Sequence, residues 1–176
     1  MDMLYNIQRH RLPVSAGNKA LNLRRLHKLG VRIPPGFVCD WVAYHRYLDN
    51  DVSLIEELRA ELSHKLDANK YYAVRSSANI EDSLDRSFAG QFKSVLNVRG
   101  VDDVLQAIWS VWSSSQSKTV KAYFEKNQIP TQQLSMAVII QDMVRSQSSG
   151  VALSRNPVTG ADEVVVEAVQ GLGDAL

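Results

Sequence analysis

Apolar residues in the first third of the chain recur at helical spacing. In N-K-A-L-N-L-R-R-L-H-K-L-G, residues 18–30, Ala20, Leu23, Leu26 and Leu29 return every third position. That period predicts a helix, with Gly30 placed to end it. Pro34-Pro35-Gly36 cannot continue a helix and predicts an extended turn. W-V-A-Y-H-R-Y-L, residues 41–48, predicts a second helix. A third opens on Ser53 and Glu56 in capping-box spacing, and Leu54, Leu58, Leu62 and Leu66 at four-residue steps predict a core stripe.

The pattern then changes. Tyr71–Val74 is aromatic and β-branched, as a strand should be, and F-K-S-V-L-N-V at 92–98 predicts another. Residues 101–112 return to helix, with Val101, Val104, Leu105, Ile108 and Trp112 on one face and acids near the start, where they suit the helix dipole. T-V-K-A-Y-F-E-K-N, residues 119–127, continues the helical region after a break around Ser113–Ser117. Three apolar runs close the chain, M-A-V-I-I-Q-D-M-V, G-V-A-L-S and E-V-V-V-E-A-V, with R-N-P-V-T-G among the turns that separate them. Helices followed by strands around a helical insert predict an α+β fold, not alternating βαβ units. The expected division is a mainly helical portion at 1–70 and a strand-rich portion at 71–176.

Bulk properties narrow the function classes. Hydrophobic residues make up 45% and charged residues 22%, and the net charge is +1, so no global charge points to nucleic acid or a membrane surface. Residues 1–32 are different: seven Lys or Arg stand against one acid, Asp2. That cluster reads either as a solvated helix face or as a patch for a phosphorylated ligand. No apolar run is long enough to cross a bilayer, and Cys39 is the single cysteine, which points to a reducing cytoplasm. His10, His27, His45 and His64 are scattered and read as surface or packing residues.

The chemistry concentrates in A-V-R-S-S-A-N-I-E-D-S-L-D-R-S-F-A-G-Q-F, residues 73–92, about twice the usual loop length. Arg75 stands at the end of a predicted strand, and a guanidinium binds phosphate oxygens bidentately. Ser76, Ser77 and Ser87 offer hydroxyls, and Ser87, Phe88, Ala89, Gly90 and Gln91 offer backbone N–H groups that an anion can approach. Glu81, Asp82 and Asp85 oppose that reading, and an ordinary acidic loop stays open. Lys19 near a helix start is unfavourable beside the dipole unless it serves an anion; an exposed lysine is the plainer alternative. The spacing around it is not that of a P-loop. Gln141 and Asp142 interrupt an apolar strand. Either the strand end reaches solvent, or an edge there hydrogen-bonds a flat heterocycle beside Met143 and Val144.

Taken together, G-N-K-A-L-N-L-R-R-L-H-K-L-G-V-R-I-P-P-G-F, A-V-R-S-S-A-N-I-E-D-S-L-D-R-S-F-A-G-Q-F, A-V-I-I-Q-D-M-V, S-G-V-A-L-S-R-N-P-V-T-G and V-V-E-A-V-Q-G-L-G-D resemble one family closely. Their order is that of the nucleotide-binding domain of phosphoenolpyruvate synthase and pyruvate phosphate dikinase, which rifampicin phosphotransferase shares. The resemblance runs from about residue 14 to 176. It departs at Asn18, where Gly is usual, at Asp142 and Asp174, where Glu is common, and at Ser94, where Thr is usual.

The resemblance implies an ATP-grasp-like domain and ATP as ligand. Lys19 and Arg75 would contact the phosphates, residues 85–91 would form a lid over them, and Gln141–Val144 a hinge along which adenine lies. Glu167 would lie near the pocket. It also implies that the chain is the N-terminal part of that domain, with Mg²⁺ ligands, a phosphohistidine domain and an acceptor domain elsewhere in a longer protein. The implied activity is phosphoryl transfer from ATP to a histidine on another domain and then to pyruvate or a related acceptor, and this part alone is expected to bind nucleotide weakly, if at all, and not to turn it over. A catalytically silent nucleotide- or partner-binding regulatory module is the alternative.

Overall fold

The computed structural model describes residues 2–9, 11–80 and 92–173. Two compact units are present, Met1–Met143 and Val144–Leu176. The first is built on a five-stranded antiparallel sheet of β1 (Leu4–Asn6), β2 (Gly36–Cys39), β3 (Tyr72–Ala78), β4 (Ser94–Val98) and β5 (Met136–Asp142). Their spatial order is β1-β2-β5-β3-β4. β5 is central, and its run M-A-V-I-I-Q is buried throughout because neighbours and both sheet faces cover it.

The two faces are covered unequally. On one, Tyr72, Val74, Met136, Val138 and Ile140 join a large core with α2 (Trp41–Leu48), α3 (Leu54–Lys65), α4 (Val101–Ser114) and α5 (Lys118–Lys126). On the other, Val38, Ala137 and Ile139 meet Ala16 and Ala20 at the start of α1 (Gly17–Lys28), together with Ile7, Leu12 and Ile33. The fold is α+β with helices plus an antiparallel sheet, as the sequence pattern predicts.

Most helices fall where the pattern puts them. α1 ends in a full Schellman arrangement: Gly30 has φ +82°, its N–H donates to the His27 carbonyl at 3.0 Å, and the Val31 N–H donates to the Leu26 carbonyl at 3.0 Å. α2 starts at Asp40, whose carboxylate accepts the Val42 N–H at 3.2 Å. Leu54, Leu58 and Leu62 form the expected core stripe of α3.

The capping box at Ser53 does not form. Ser53 is already in helical conformation and its side chain accepts no cap hydrogen bond. Its hydroxyl instead donates to Asp51 at 2.8 Å and accepts from Arg46 at 2.9 Å. Arg46 also binds Asp51 at 2.7 Å and Glu57 at 2.8 Å, so an ion-pair network takes the place of the cap.

Three strand features depart from the sequence expectation. β1 and β2 are three and four residues long, too short to show a period, and β2 follows directly on Pro34-Pro35. Residues 1–70 are therefore not only helical; they supply two strands to the sheet. β3 runs past Arg75 to Ala78, so Ser76 and Ser77 also lie in the strand and not in the loop after it. Ser87, Phe88, Ala89, Gly90 and Gln91 lie outside the described residues.

The second unit is a hairpin of β6 (Ser148–Leu153) and β7 (Val165–Gln170), in register from Ser148↔Gln170 to Leu153↔Val165. In its connection the Asn156 side-chain oxygen accepts the N–H groups of Val158 at 2.9 Å and Thr159 at 3.0 Å, and Gly160 turns at φ +72°. At the open end the Ser149 hydroxyl donates to the Gly171 carbonyl at 2.7 Å. No described helix is long and apolar enough to cross a membrane.

The Arg46 network makes an acid-stability prediction. Hydrogen bonds from Arg46 hold both Asp51 and Glu57 down to about 2. A lowered carboxylate contributes stability that is complete above its ordinary range and is lost as pH falls through the lowered value. The urea midpoint should thus fall between about pH 5 and pH 2, and Arg46→Ala should flatten that fall. An equally steep fall in the variant would place the acid sensitivity elsewhere.

Candidate functional site

The site is organised where α1 begins against β3. Gly17 has φ +76°, and a Cβ there would lie 2.0 Å from the Ser77 carbonyl oxygen. Only glycine permits both that conformation and that approach. The fully buried Ser77 hydroxyl donates to the Ala16 carbonyl at 2.9 Å and accepts the Ala20 N–H at 3.0 Å. These are the two groups that a regular first turn pairs directly, so the hydroxyl is inserted into the helix start and fixes it to the strand. Alongside, the Asn18 amide donates to the Asn79 carbonyl at 3.1 Å. Upstream, the Ser15 hydroxyl donates to Asp40 at 2.9 Å, tying the approach to α1 to the start of α2. Burial pushes the Asp40 carboxyl up, and those hydrogen bonds oppose the shift.

Lys19 sits in the first turn of α1, and its ammonium donates to the Ser76 carbonyl at 3.0 Å. The next residue back along β3 is Arg75, whose Cα partners are Ile139 on β5 and Ser94 on β4. Strand alternation puts Arg75 on the same face as Ser77, the face α1 covers. Arg75 is half-buried, and its guanidinium makes no hydrogen bond or ion pair among the described residues. Two cationic side chains of the sequence prediction, Lys19 and Arg75, are thus brought to one short stretch of β3.

Gln141 belongs to the same face. It pairs with Ala73, two residues from Arg75, which makes Ser77, Arg75 and Ala73–Gln141 a strip about 13 Å long. Its side chain is buried and donates to the Pro34 carbonyl at 2.9 Å. Asp142 accepts from Lys70 at 2.6 Å, and its N–H donates to the Pro35 carbonyl at 2.7 Å. The Met143 N–H donates to the Tyr71 carbonyl at 2.8 Å. β5 is an interior strand, so neither the sheet edge nor the solvent-reaching end considered from the sequence describes Gln141. Val144 is exposed and opens the second unit. Glu167 lies in that unit on β7, opposite Val151.

One further expectation changes and one stands. Ser76 and Ser77 are buried, and the Ser77 hydroxyl serves α1, so Ser77 acts as a positioning residue and not as a phosphate donor. His45 is exposed and shares a hydrogen bond of 3.0 Å with Ser135. Sequence reasoning missed the Gly17–Ser77 contact and the Lys70–Asp142 pair, since each joins residues 60 or more positions apart. The glycine immediately before a helical period was the one local sign of the first. Among the described residues, no three His, Cys, Asp or Glu side chains cluster to hold a metal ion.

Gly17→Ala should lower stability by about 2 kcal/mol or more, through the left-handed backbone and the clash with β3. Ser77→Ala should cost about 1–2 kcal/mol for the two groups it leaves at the helix start. Urea unfolding measures both. A Gly17→Ala chain as stable as the wild type would show that α1 does not seat against β3.

The comparisons with known proteins agree with this architecture. The family model described as the AMP/ATP-binding domain of pyruvate phosphate dikinase matches residues 52–176. A probable phosphoenolpyruvate synthase of Archaeoglobus fulgidus is 30% identical over 98% of this chain and 28% of its own length. The phosphoenolpyruvate synthase of Aeropyrum pernix is 31% identical over 97% of this chain and 26% of its own. Rifampicin phosphotransferase of Bacillus subtilis is 30% identical over 98% of this chain and 24% of its own. The chain thus spans less than a third of the length of the curated relatives it matches. With the domain matched from α3 through the β6–β7 hairpin and the relatives aligned back through α1, the chain belongs to the phosphoenolpyruvate synthase and pyruvate phosphate dikinase family, in its AMP/ATP-binding domain.

Proposed function

We propose that this chain binds ATP along the Arg75 face of the sheet and forms the ATP-binding part of a cytoplasmic phosphotransferase. In the longer protein the phosphoryl group passes from ATP to a histidine on another domain, and then to pyruvate or a related acceptor. The observation that carries the proposal is the placement of Lys19 against the Ser76 carbonyl, next to Arg75. Phosphoryl transfer depends mainly on positioning and on neutralising charge on phosphate oxygens. A planar guanidinium grips two oxygens at once, and an ammonium beside it acts as a point charge.

The strip has a polarity that suits a nucleotide. Its Lys19–Arg75 end is cationic and would take the phosphates. Its Gln141 end, where side chain and backbone are already tied to Pro34 and Pro35, would present a fixed border to the base. Val144, the lid at residues 85–91 and Glu167 enter on the resemblance alone. The described residues supply no carboxylate set for Mg²⁺, whose ligands are expected elsewhere in the longer protein. Cys39 is a free, buried thiol whose pKa burial pushes well up, so it stays protonated and takes no part in the proposed chemistry.

Calorimetric titration with ATP and Mg²⁺ tests the proposal in the longer protein that contains this domain. Loss of one charge-assisted contact costs about 1.5–3 kcal/mol, so Arg75→Ala and Lys19→Ala should each weaken ATP binding at least ~10-fold. Thermal midpoints should hold in Arg75→Ala. Equal ATP affinity in wild type and both variants would sink the placement of the phosphates. Labelled ATP should leave phosphohistidine on the longer protein. Binding without that label would favour the silent regulatory module.

A further inference from the structure

β3 ends in a pattern of bonds that the ladder does not require. Two residues that face each other in a hydrogen-bonded antiparallel pair ordinarily exchange both backbone bonds. Ala78 faces Met136, so Asn79 and Ser135 come next. The Asn79 N–H donates to the Ser135 carbonyl at 3.0 Å, but the Ser135 N–H donates to the Asn79 side-chain oxygen, also at 3.0 Å. The side chain has taken the place of its own main-chain carbonyl. Its amide nitrogen donates to the Gln133 carbonyl at 2.7 Å, so only one orientation of the amide satisfies both partners. The displaced Asn79 carbonyl accepts the Asn18 amide at 3.1 Å. Asn18 precedes Lys19, whose ammonium reaches the Ser76 carbonyl at 3.0 Å. The first turn of α1 is thus held to β3 and the residue after it at Ser76, Ser77 and Asn79. Where Asn18 stands the family usually has Gly, which could not make this contact.

We propose that Asn79 is a positioning residue for the phosphate end of the strip, acting through Asn18 on the turn that carries Lys19. The inference rests on the proposed binding of ATP along the Arg75 face. Lys19 stands at the end of α1 where the dipole opposes a cation. Its place is therefore kept by the contacts that hold the turn to the strand, and the Asn18–Asn79 bond is one of them. Each such contact narrows the positions open to the ammonium before a phosphate arrives, and a donor aimed in advance costs less reorganisation on binding. Alanine at position 79 would return the main-chain carbonyl to the Ser135 N–H and complete an ordinary ladder pair. Asn18 would then lose its acceptor.

Calorimetry on the longer protein that contains this domain, with ATP and with inorganic triphosphate, tests the inference. Asn79→Ala and Asn18→Ala should each weaken both ligands ~3–10-fold and by similar factors, since the loss lies at the phosphates. Asn18→Ala leaves the Asn79 bonds to Ser135 and Gln133 in place, so it answers the question even where Asn79→Ala folds poorly. The two changes break one contact, and the double variant should bind no worse than either alone. In a Lys19→Ala background Asn79→Ala should cost nothing more, an outcome that a merely structural role would not give. A loss for ATP alone, or a full additional loss in that background, would overturn the inference. Unchanged affinity in both variants, with Lys19→Ala weakening ATP, would also overturn it and leave the ATP reading standing. No effect of Lys19→Ala on either ligand would remove the ATP reading and this inference together.

Discussion

Everything on the Arg75 side of the sheet follows from how closely α1 can approach β3. With any side chain at position 17 the helix start would have to move away from the Ser77 carbonyl. The Ser77 hydroxyl would then no longer reach Ala16 and Ala20, nor the Lys19 ammonium the Ser76 carbonyl. One absent Cβ therefore sets the separation of two elements and the position of the charge that rides on one of them. The serine then fixes the direction of approach. Close packing alone would let the helix slide along the strand, but a hydroxyl inserted between two backbone groups allows one register.

The sheet divides its two faces by task. Four helices seal one face with Trp112, Phe124, Leu58, Ile108 and their neighbours, and the Trp112 indole N–H donates to the Met136 carbonyl at 3.1 Å. The other face has α1 and the segments around it, and Arg75 stands on that face. Large apolar burial on the first face supplies rigidity. The second is thereby able to keep a half-buried arginine that stands outside both apolar clusters. The same division explains the composition of β3, where Tyr72 and Val74 belong to the apolar cluster while Arg75 and Ser77 face α1.

This alternation also marks where the sequence was readable and where it was not. The helices were legible because each carries a local period: the Leu54–Leu58–Leu62 stripe and the Gly30 stop need no knowledge of the rest of the chain. Ser76 and Ser77 read as loop because polar residues inside a buried strand make sense only once their partners are known, and Ala16 and Ala20 lie about 60 positions away. β2 was hidden by the prolines before it, which break a helix but equally begin a strand. The Ser53 cap failed for the same non-local reason, since Arg46 competes for the serine through Asp51 and Glu57. The cations themselves were legible from residue type and motif order. Their mutual placement was not, because it depends on a helix-to-strand contact.

The charges on α1 can be weighed against the helix that bears them. A lysine in the first turn stands at the positive end of the dipole, at a cost of about 0.3–1 kcal/mol. Its hydrogen bond to the Ser76 carbonyl returns about 1.5–3 kcal/mol if it behaves as other bonds to charged groups do. The two are close enough that Lys19 can hold its place without an anion, and a ligand need not supply the energy to bring it there. Arg25 and Lys28 occupy the opposite end, where the dipole favours them. The helix thus separates its cations by role as well as by position: one is held against the field by a neighbouring strand, and the others rest with the field and face outward. A charge kept in an unfavourable field by a dedicated contact is preorganised, and that is the property a phosphate-binding group needs.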